Sequence, residues 1–550
     1  MTFGGSPDQG AVWRHRSGKY LSGMRSRWGR IALLAVVAFA TTAGIAPTAG
    51  AARATAGRPP WSVPSAPRLV RLTGPYAAPA SATGMVDDAQ AQTIDGFGAS
   101  GAWWPYYAQH FSAQTKRQVG ELLFSPRGLD LSQYRYNIGG GGVGVKVPYK
   151  AAPTFLVRPG VYDWSRDPGG LYFLRQAADY RVPSLIGFVN SAPAAWTTDA
   201  RSCGGSLVPG TETAYAHYLA DVVHHLYVAD GIRLSYVSPV NEPDAAQATC
   251  TQEGMTVPVS DRAALVEAVA SALSSTTPGA RVIADETSLV SQLLAEAPLW
   301  LDGPARQSVA VLAHHTYDYP DTATLAQEAS LPAARHWASE ICCFNGKGFG
   351  WQYDPTMTSG LWLANTIWGD LAVAHDSAFD WWLALSPNLG CNPVAQRGCP
   401  GVVQARGRND GLIYFDRRFA ADGNQTLYLT KRYWVLAGFS RYVRPGDVLH
   451  EVAGLPPGLR AVAFSAGSGA AVSRWTVVVI DNAPSGSTNL HIDLPRQAVR
   501  SSSSLQTAVV TDAHADLAAL TPGSAVSYRN GRLTATVPAG SVSTFVIRAR

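Results

Sequence analysis

The chain has little charge: 15% of its 550 residues are Asp, Glu, Lys or Arg, while 46% are hydrophobic. That balance excludes a disordered polyelectrolyte and describes a globular protein. It also lacks a basic surplus beyond its N-terminus. The formal net charge of +5 falls within residues 1–30, where Arg14, Arg16, Lys19, Arg25, Arg27 and Arg30 stand against Asp8. The chain is near neutral from residue 52 onward, which argues against nucleic acid, because a polyanion needs a basic face. Phosphate-loop chemistry is missing too. Gly96-Phe97-Gly98 lacks the third glycine of a dinucleotide fingerprint, and the run Gly139–Gly142 has no following Lys-Ser/Thr. No C-x-x-C or H-x-x-x-H spacing supports zinc, so neither a metal nor an organic cofactor is implied.

Long apolar runs are scarce. Ile31–Ile45 follows the basic stretch Arg25–Arg30 and precedes the small-residue site Ala49-Gly50-Ala51. It is short for a membrane span and reads as the core of a secretory signal peptide over residues 1–51. A secreted protein, free of the membrane after cleavage, is expected. Secretion makes the six cysteines legible as disulfides. Cys203 and Cys250 follow the third and fourth expected strands and are expected to pair. Cys391 and Cys399 close a short loop or bridge back to the adjacent Cys342 and Cys343.

The length predicts two domains. Residues 52–93, rich in small residues and proline, read as a linker that also supplies first strands to a side domain. From Ile94 strands and helices alternate. Strands are predicted at Ile94–Ala99, Leu129–Ile138, Pro183–Asn190, Leu234–Val240, Ala280–Asp285, Ser308–Ala313, Trp337–Ile341 and Ala378–Leu385. Ser112 is a plausible N-cap for a helix to Phe124. Eight such units close into a (β/α)8 TIM barrel over 94–430. From about Lys431 the texture becomes alternating, as in Trp475–Ile480 and Arg532–Val537, with turn clusters between. This predicts an attached all-β sandwich over 431–550.

Two carboxylates stand out. Glu242 ends the fourth strand in Val240-Asn241-Glu242-Pro243, where Pro243 stops a ladder. Glu340 lies in the seventh, in His336-Trp337-Ala338-Ser339-Glu340. The C-terminal end of a barrel strand is where catalytic groups sit. One carboxyl that protonates a leaving oxygen, and one that attacks or activates water, are what glycoside hydrolysis needs.

These residues, with Asp95-Gly96-Phe97-Gly98-Ala99-Ser100, Tyr134-Arg135-Tyr136-Asn137, Lys431-Arg432-Tyr433-Trp434 and Ser541–Val546, make the chain resemble glycoside hydrolase family 30. The resemblance implies a retaining hydrolase with Glu242 as acid/base and Glu340 as nucleophile. It implies that Arg135 partners Glu340, that Asn241 bonds the sugar 2-hydroxyl, and that Tyr317 donates to the nucleophile. His315 is either a cleft residue or a satisfied barrel histidine. Trp103 or Trp104, Trp196, and Trp381 or Trp382 follow strands one, three and eight, where they could stack on sugars. One of each adjacent pair is expected in the core.

Within the family, Gly98–Trp104, the vicinal cysteines after Glu340, and Tyr353–Ser359 look most like the endo-β-1,6-galactanases. That implies action on the β-1,6-galactan side chains of arabinogalactan; separately, a monomer is expected. Alternatives are another specificity of the family (β-1,6-glucanase, xylanase, glucosylceramidase) or a non-catalytic carbohydrate-binding protein.

Overall fold

The structure, a computed structural model, describes residues 77–548 apart from 278, 334, 468–471, 496–502 and 521–525. The signal peptide expected over 1–51 and most of the linker lie outside the described residues. Among the described residues no helix is long and apolar enough to cross a membrane.

Eight parallel strands form a closed barrel: β1 (Gly96–Ser100), β2 (Gln133–Asn137), β3 (Ser184–Phe188), β4 (Tyr236–Ser238), β5 (Arg281–Thr287), β6 (Val309–His315), β7 (His336–Glu340) and β8 (Ala378–Ser386). Each pairs with its successor, and β8 returns to β1 through Ala378↔Gly96 and its neighbours. The strands are short runs buried almost throughout, as parallel strands covered on both faces must be. Helices between them carry the outer layer. Ser112 caps one at Ala113–Phe124 by accepting from the Thr115 N–H. At Gly98 the barrel wall leaves no room for a side chain: a Cβ would stand 2.2 Å from Asp380 Oδ1.

The second body is one ten-stranded sheet folded over a single apolar core, in which Val477, Val479, Phe545, Leu490, Ile492 and Leu533 meet. Ser81–Val86, alternately exposed and buried, runs parallel to Ser487–Asp493 and antiparallel to Val448–Ala453. Lys431–Ser440 is a helix, and the strands that follow it begin at Val448. All of its residues except Lys431 and Trp434 are buried.

Arg432 anchors that helix. Its guanidinium donates to the carbonyls of Asp354 and Gly411, to Ser359 Oγ, to Asn409 Oδ1 and to the Tyr414 hydroxyl, at 2.7–3.0 Å. Arg432→Ala strands these acceptors in a dry site and is expected to cost about 3–5 kcal/mol. Urea unfolding checks this; a loss below about 1 kcal/mol would contradict it.

Three disulfides join Cys203 to Cys250, Cys342 to Cys343 and Cys391 to Cys399. The first is the pair expected, and the third takes the short-loop alternative.

Candidate active site

The C-terminal ends of the strands converge on one buried arginine. Arg135, on β2, is fully buried. Its Nη1 donates to Glu340 Oε2 (2.9 Å) on β7 and to Ser100 Oγ (3.1 Å) on β1. Its Nη2 donates to Glu286 Oε2 (2.9 Å) on β5 and to Asn241 Oδ1 (3.2 Å) after β4. The guanidinium lies 4.3 Å from the centre of the Phe188 ring. One cation thus ties together five of the eight strand ends.

His315, at the end of β6, joins the same group. Its Nε2 stands 2.9 Å from Glu286 Oε2, and its Nδ1 stands 3.3 Å from Glu242 Oε1 and 3.8 Å from Glu340 Oε1. The Tyr317 hydroxyl donates to Glu340 Oε1 (2.9 Å), and Ser339 Oγ donates to Glu286 Oε2 (3.0 Å). Carboxylate oxygens of Glu242 and Glu340 and a nitrogen of His315 lie within 4.8 Å of one another. These are donor types that ligate a metal, and each His315 nitrogen faces a carboxylate.

The two carboxylates differ in surroundings. Glu340 is nearly dry, its side chain 4% exposed, with a cation and a hydroxyl donating to it. Glu242 is 15% exposed and has His315 as its side-chain partner among the described residues. Its backbone is left-handed (φ 51°), as is that of Glu286 (φ 60°), and the Glu242 N–H donates to the Glu286 carbonyl (2.9 Å). Such conformations cost about 1–3 kcal/mol each and gather at sites where side-chain aim matters.

Electrostatics follow from this packing. Burial alone would raise the Glu286 carboxyl, but Arg135, His315 and Ser339 outweigh it and hold the pKa down to about 2. Burial disfavours the His315 imidazolium, yet Glu340, Glu242 and Glu286 together push its pKa up to about 10. Burial raises the Glu340 carboxyl, with His315 and Arg135 pulling against it. Asp380, on β8 beside Gly98, is pushed up to about 8 by burial, with Arg135 opposing. Neither Asp380 oxygen has a hydrogen-bond partner among the described residues.

The aromatic residues divide. Trp382 packs edge-on to Trp103 (4.9 Å) and against Phe188 (6.2 Å), so both tryptophans share a wall with the Arg135 cluster. Lys150 Nζ lies 3.8 Å from the centre of the Trp103 ring, its pKa lowered to about 8 chiefly by burial. The other tryptophans lie elsewhere. Trp104 is fully buried against Phe173, its Nε1 bonded to the Ser100 carbonyl, and belongs to the core. Trp196 packs on Tyr215 and Tyr218 of the helix Glu212–Asp230. Trp381 also lies behind the wall, bonded to the Asp410 carbonyl.

Sequence reasoning missed Glu286. Alternation along β5 carried the signal: Asp285 points outward to Arg262 (2.6 Å) and Trp300 (3.1 Å), so its neighbour must point in. Glu253 was missed as well. Its carboxylate accepts from the Gly140 and Gly142 N–H groups and fixes the glycine run.

Residues 84–319 match the model of O-Glycosyl hydrolase family 30. The match spans β1 to β6 and holds Arg135, Asn241, Glu242, Glu286, His315 and Tyr317, ending before Glu340. Solved structures share the fold. A conserved exported protein from Bacteroides fragilis superposes with a TM-score of 0.69 at 21% identity, covering 84% of this chain and 100% of its own. The catalytic domain of family 30 xylanase C from Talaromyces cellulolyticus gives 0.64 at 23%, covering 85% and 100%. The endo-β-1,6-glucanase BT3312 gives 0.62 at 17%, covering 87% and 95%.

The network sets a pH window for stability. Glu286, lowered from 4.5 to about 2 on folding, stabilises the fold above pH 4.5 and loses that contribution as pH falls toward 2. His315, raised from 6.5 to about 10, stabilises below pH 6.5 and loses it as pH rises toward 10. Asp380, raised from 3.8 to about 8, also favours the fold on the acid side. Calorimetry across pH should find the highest Tm between about pH 3.8 and 4.5, where the Glu286 gain meets the start of the Asp380 loss, with a decline on both sides. A maximum at alkaline pH would contradict this.

Proposed function

We propose that the chain is a secreted retaining glycoside hydrolase that cleaves β-1,6-galactan by double displacement, with Glu340 as nucleophile and Glu242 as acid/base. The observation that carries this reading is the pair of carboxylates with oxygens within 4.8 Å of each other. Retaining pairs stand about 5–5.5 Å apart, whereas inverting pairs leave room for a water at about 6.5–9.5 Å.

The roles follow from the surroundings. Arg135 and Tyr317 donate to Glu340, which favours the ionised form that attacks C1. Protonated Glu242 gives its proton to the glycosidic oxygen as the C1–O bond breaks and the bond from C1 to Glu340 forms. Glu340 then loses its charge as an ester, while Glu242 gains one. His315, within reach of both, exchanges one anionic partner for the other, so the dry site keeps its charge balance across the step. Glu242 next takes a proton from the water that attacks C1, restoring Glu340. Asn241 Oδ1 is occupied by Arg135, which leaves its Nδ2 to donate to the sugar 2-hydroxyl, a contact that strengthens toward the transition state. Trp382 and Trp103 form the aromatic side of the cleft.

Family likeness supports the reaction class. Galactan rests on the local likeness of Gly98–Trp104, Cys342-Cys343 and Tyr353–Ser359 to endo-β-1,6-galactanases. Similarity to a β-1,6-glucanase and a xylanase makes those polysaccharides the second reading. A purely carbohydrate-binding role would not require two carboxylates, Asn241 and a charge-balancing histidine in one site. Three disulfides, the N-terminal apolar run and the likeness to an exported protein support secretion.

The test is a product profile on arabinofuranosidase-treated arabinogalactan. A ladder of short β-1,6-galacto-oligosaccharides is expected from wild type, with Glu340→Gln and Glu242→Gln each slower on the order of 10³-fold or more. Products from β-1,6-glucan or xylan but none from galactan would overturn the substrate assignment. Full activity in Glu340→Gln would overturn the mechanism.

A further inference from the structure

Strand alternation that turns His315 into the cleft turns its neighbour His314 through the barrel wall, toward the helices. There, outside the cleft, His314, Glu328, Asp376, Asp370 and His336 form a second cluster, every member buried. They come from β6, from the helix Thr322–Glu328, from the turn into β8, from the helix Met357–Ala372 and from β7. The proposed function uses none of them.

The geometry suits a cation better than a closed hydrogen-bond network. One donor atom each from His314, Glu328 and Asp376 lies within 4.8 Å of the others. His314 Nε2 and Asp376 Oδ2 stand 3.2 Å apart. Two ligands about 2.1 Å from one ion at a tetrahedral angle stand about 3.4 Å apart. Glu328 Oε2, Asp370 Oδ2 and Asp376 Oδ1 are buried with no partner among the described residues. His336 Nδ1 contacts the other oxygen of Glu328, as an outer partner that aims a ligand does. A cavity of about 110 Å³, lined by Asp321 and Thr316 among others, lies beside the cluster and has Asp370 in its wall.

We propose that His314, Glu328 and Asp376, with Asp370 beside them, bind one divalent transition-metal ion, zinc foremost. Imidazole with carboxylate donors suits zinc and its neighbours over calcium or magnesium. The ion clamps β6, the helix Thr322–Glu328 and the turn into β8, and so steadies the strand that carries His315. The ligands are scattered along the chain, so no spacing motif marks the site. The assignment does not depend on the reading of the catalytic cleft.

The untagged full chain, stripped with a chelator and reloaded with zinc, tests this by elemental analysis and Tm. One ion per chain is expected in wild type and in Glu340→Gln, and less than about a tenth of that in His314→Gln and Asp376→Asn. Reloading is expected to raise Tm by about 3 °C or more. No bound ion, and a Tm indifferent to chelator and zinc, would overturn the proposal. So would an ion kept by His314→Gln and Asp376→Asn but lost in Glu340→Gln, which would put it in the cleft. Should those variants fail to fold, cobalt-loaded wild type decides. Intense visible bands of a four-coordinate site are expected, and a spectrum like that of aqueous cobalt would overturn the site.

Discussion

The Arg135 guanidinium is the constraint on which the rest of the site depends. A buried arginine is tolerable only when its donors are met by anions and good acceptors. Here Glu340, Glu286, Asn241 and Ser100 supply them, from strand ends far apart in sequence. The charge that orients Glu340 is itself held by Glu286, which never approaches the cleft opening as Glu242 does. His315 closes the circuit by touching Glu286 with one nitrogen and facing both Glu242 and Glu340 with the other. The two glutamates are therefore inequivalent before any substrate arrives.

The barrel makes this arrangement affordable. Parallel strands buried on both faces supply a rigid floor, and the unpaired ends of eight strands supply the aim. Left-handed backbone at Glu242 and Glu286 adds local cost, offset by the packed core beneath. The helix Lys431–Ser440, pinned through Arg432, and the folded sheet beyond it extend that core. They touch the chemistry only through the rigidity they lend.

Much of this was readable from sequence. The eight strands were legible because parallel strands read as short apolar runs between helical patterns. Glu242 and Glu340 were legible because each acid ends such a run. The Cys203–Cys250 disulfide could be expected because its cysteines follow neighbouring strands. Glu286 was hidden by an Asp beside it, since only the alternation of β5 tells which of the two points inward. Trp196 could not be placed from sequence, because a tryptophan after a barrel strand can as readily pack on a covering helix. The buried cluster around His314 was invisible, because its members come from five separate segments.

The most direct test of the central claim is to trap the intermediate. A 2-deoxy-2-fluoro-galactoside with a good leaving group, reacted with the enzyme and mapped by peptide mass spectrometry, should leave one sugar covalently on Glu340. A label on Glu242 or Glu286 would contradict the assignment of roles. An enzyme that turns over arabinogalactan yet releases the inverted anomer, with no label anywhere, would contradict the retaining mechanism itself.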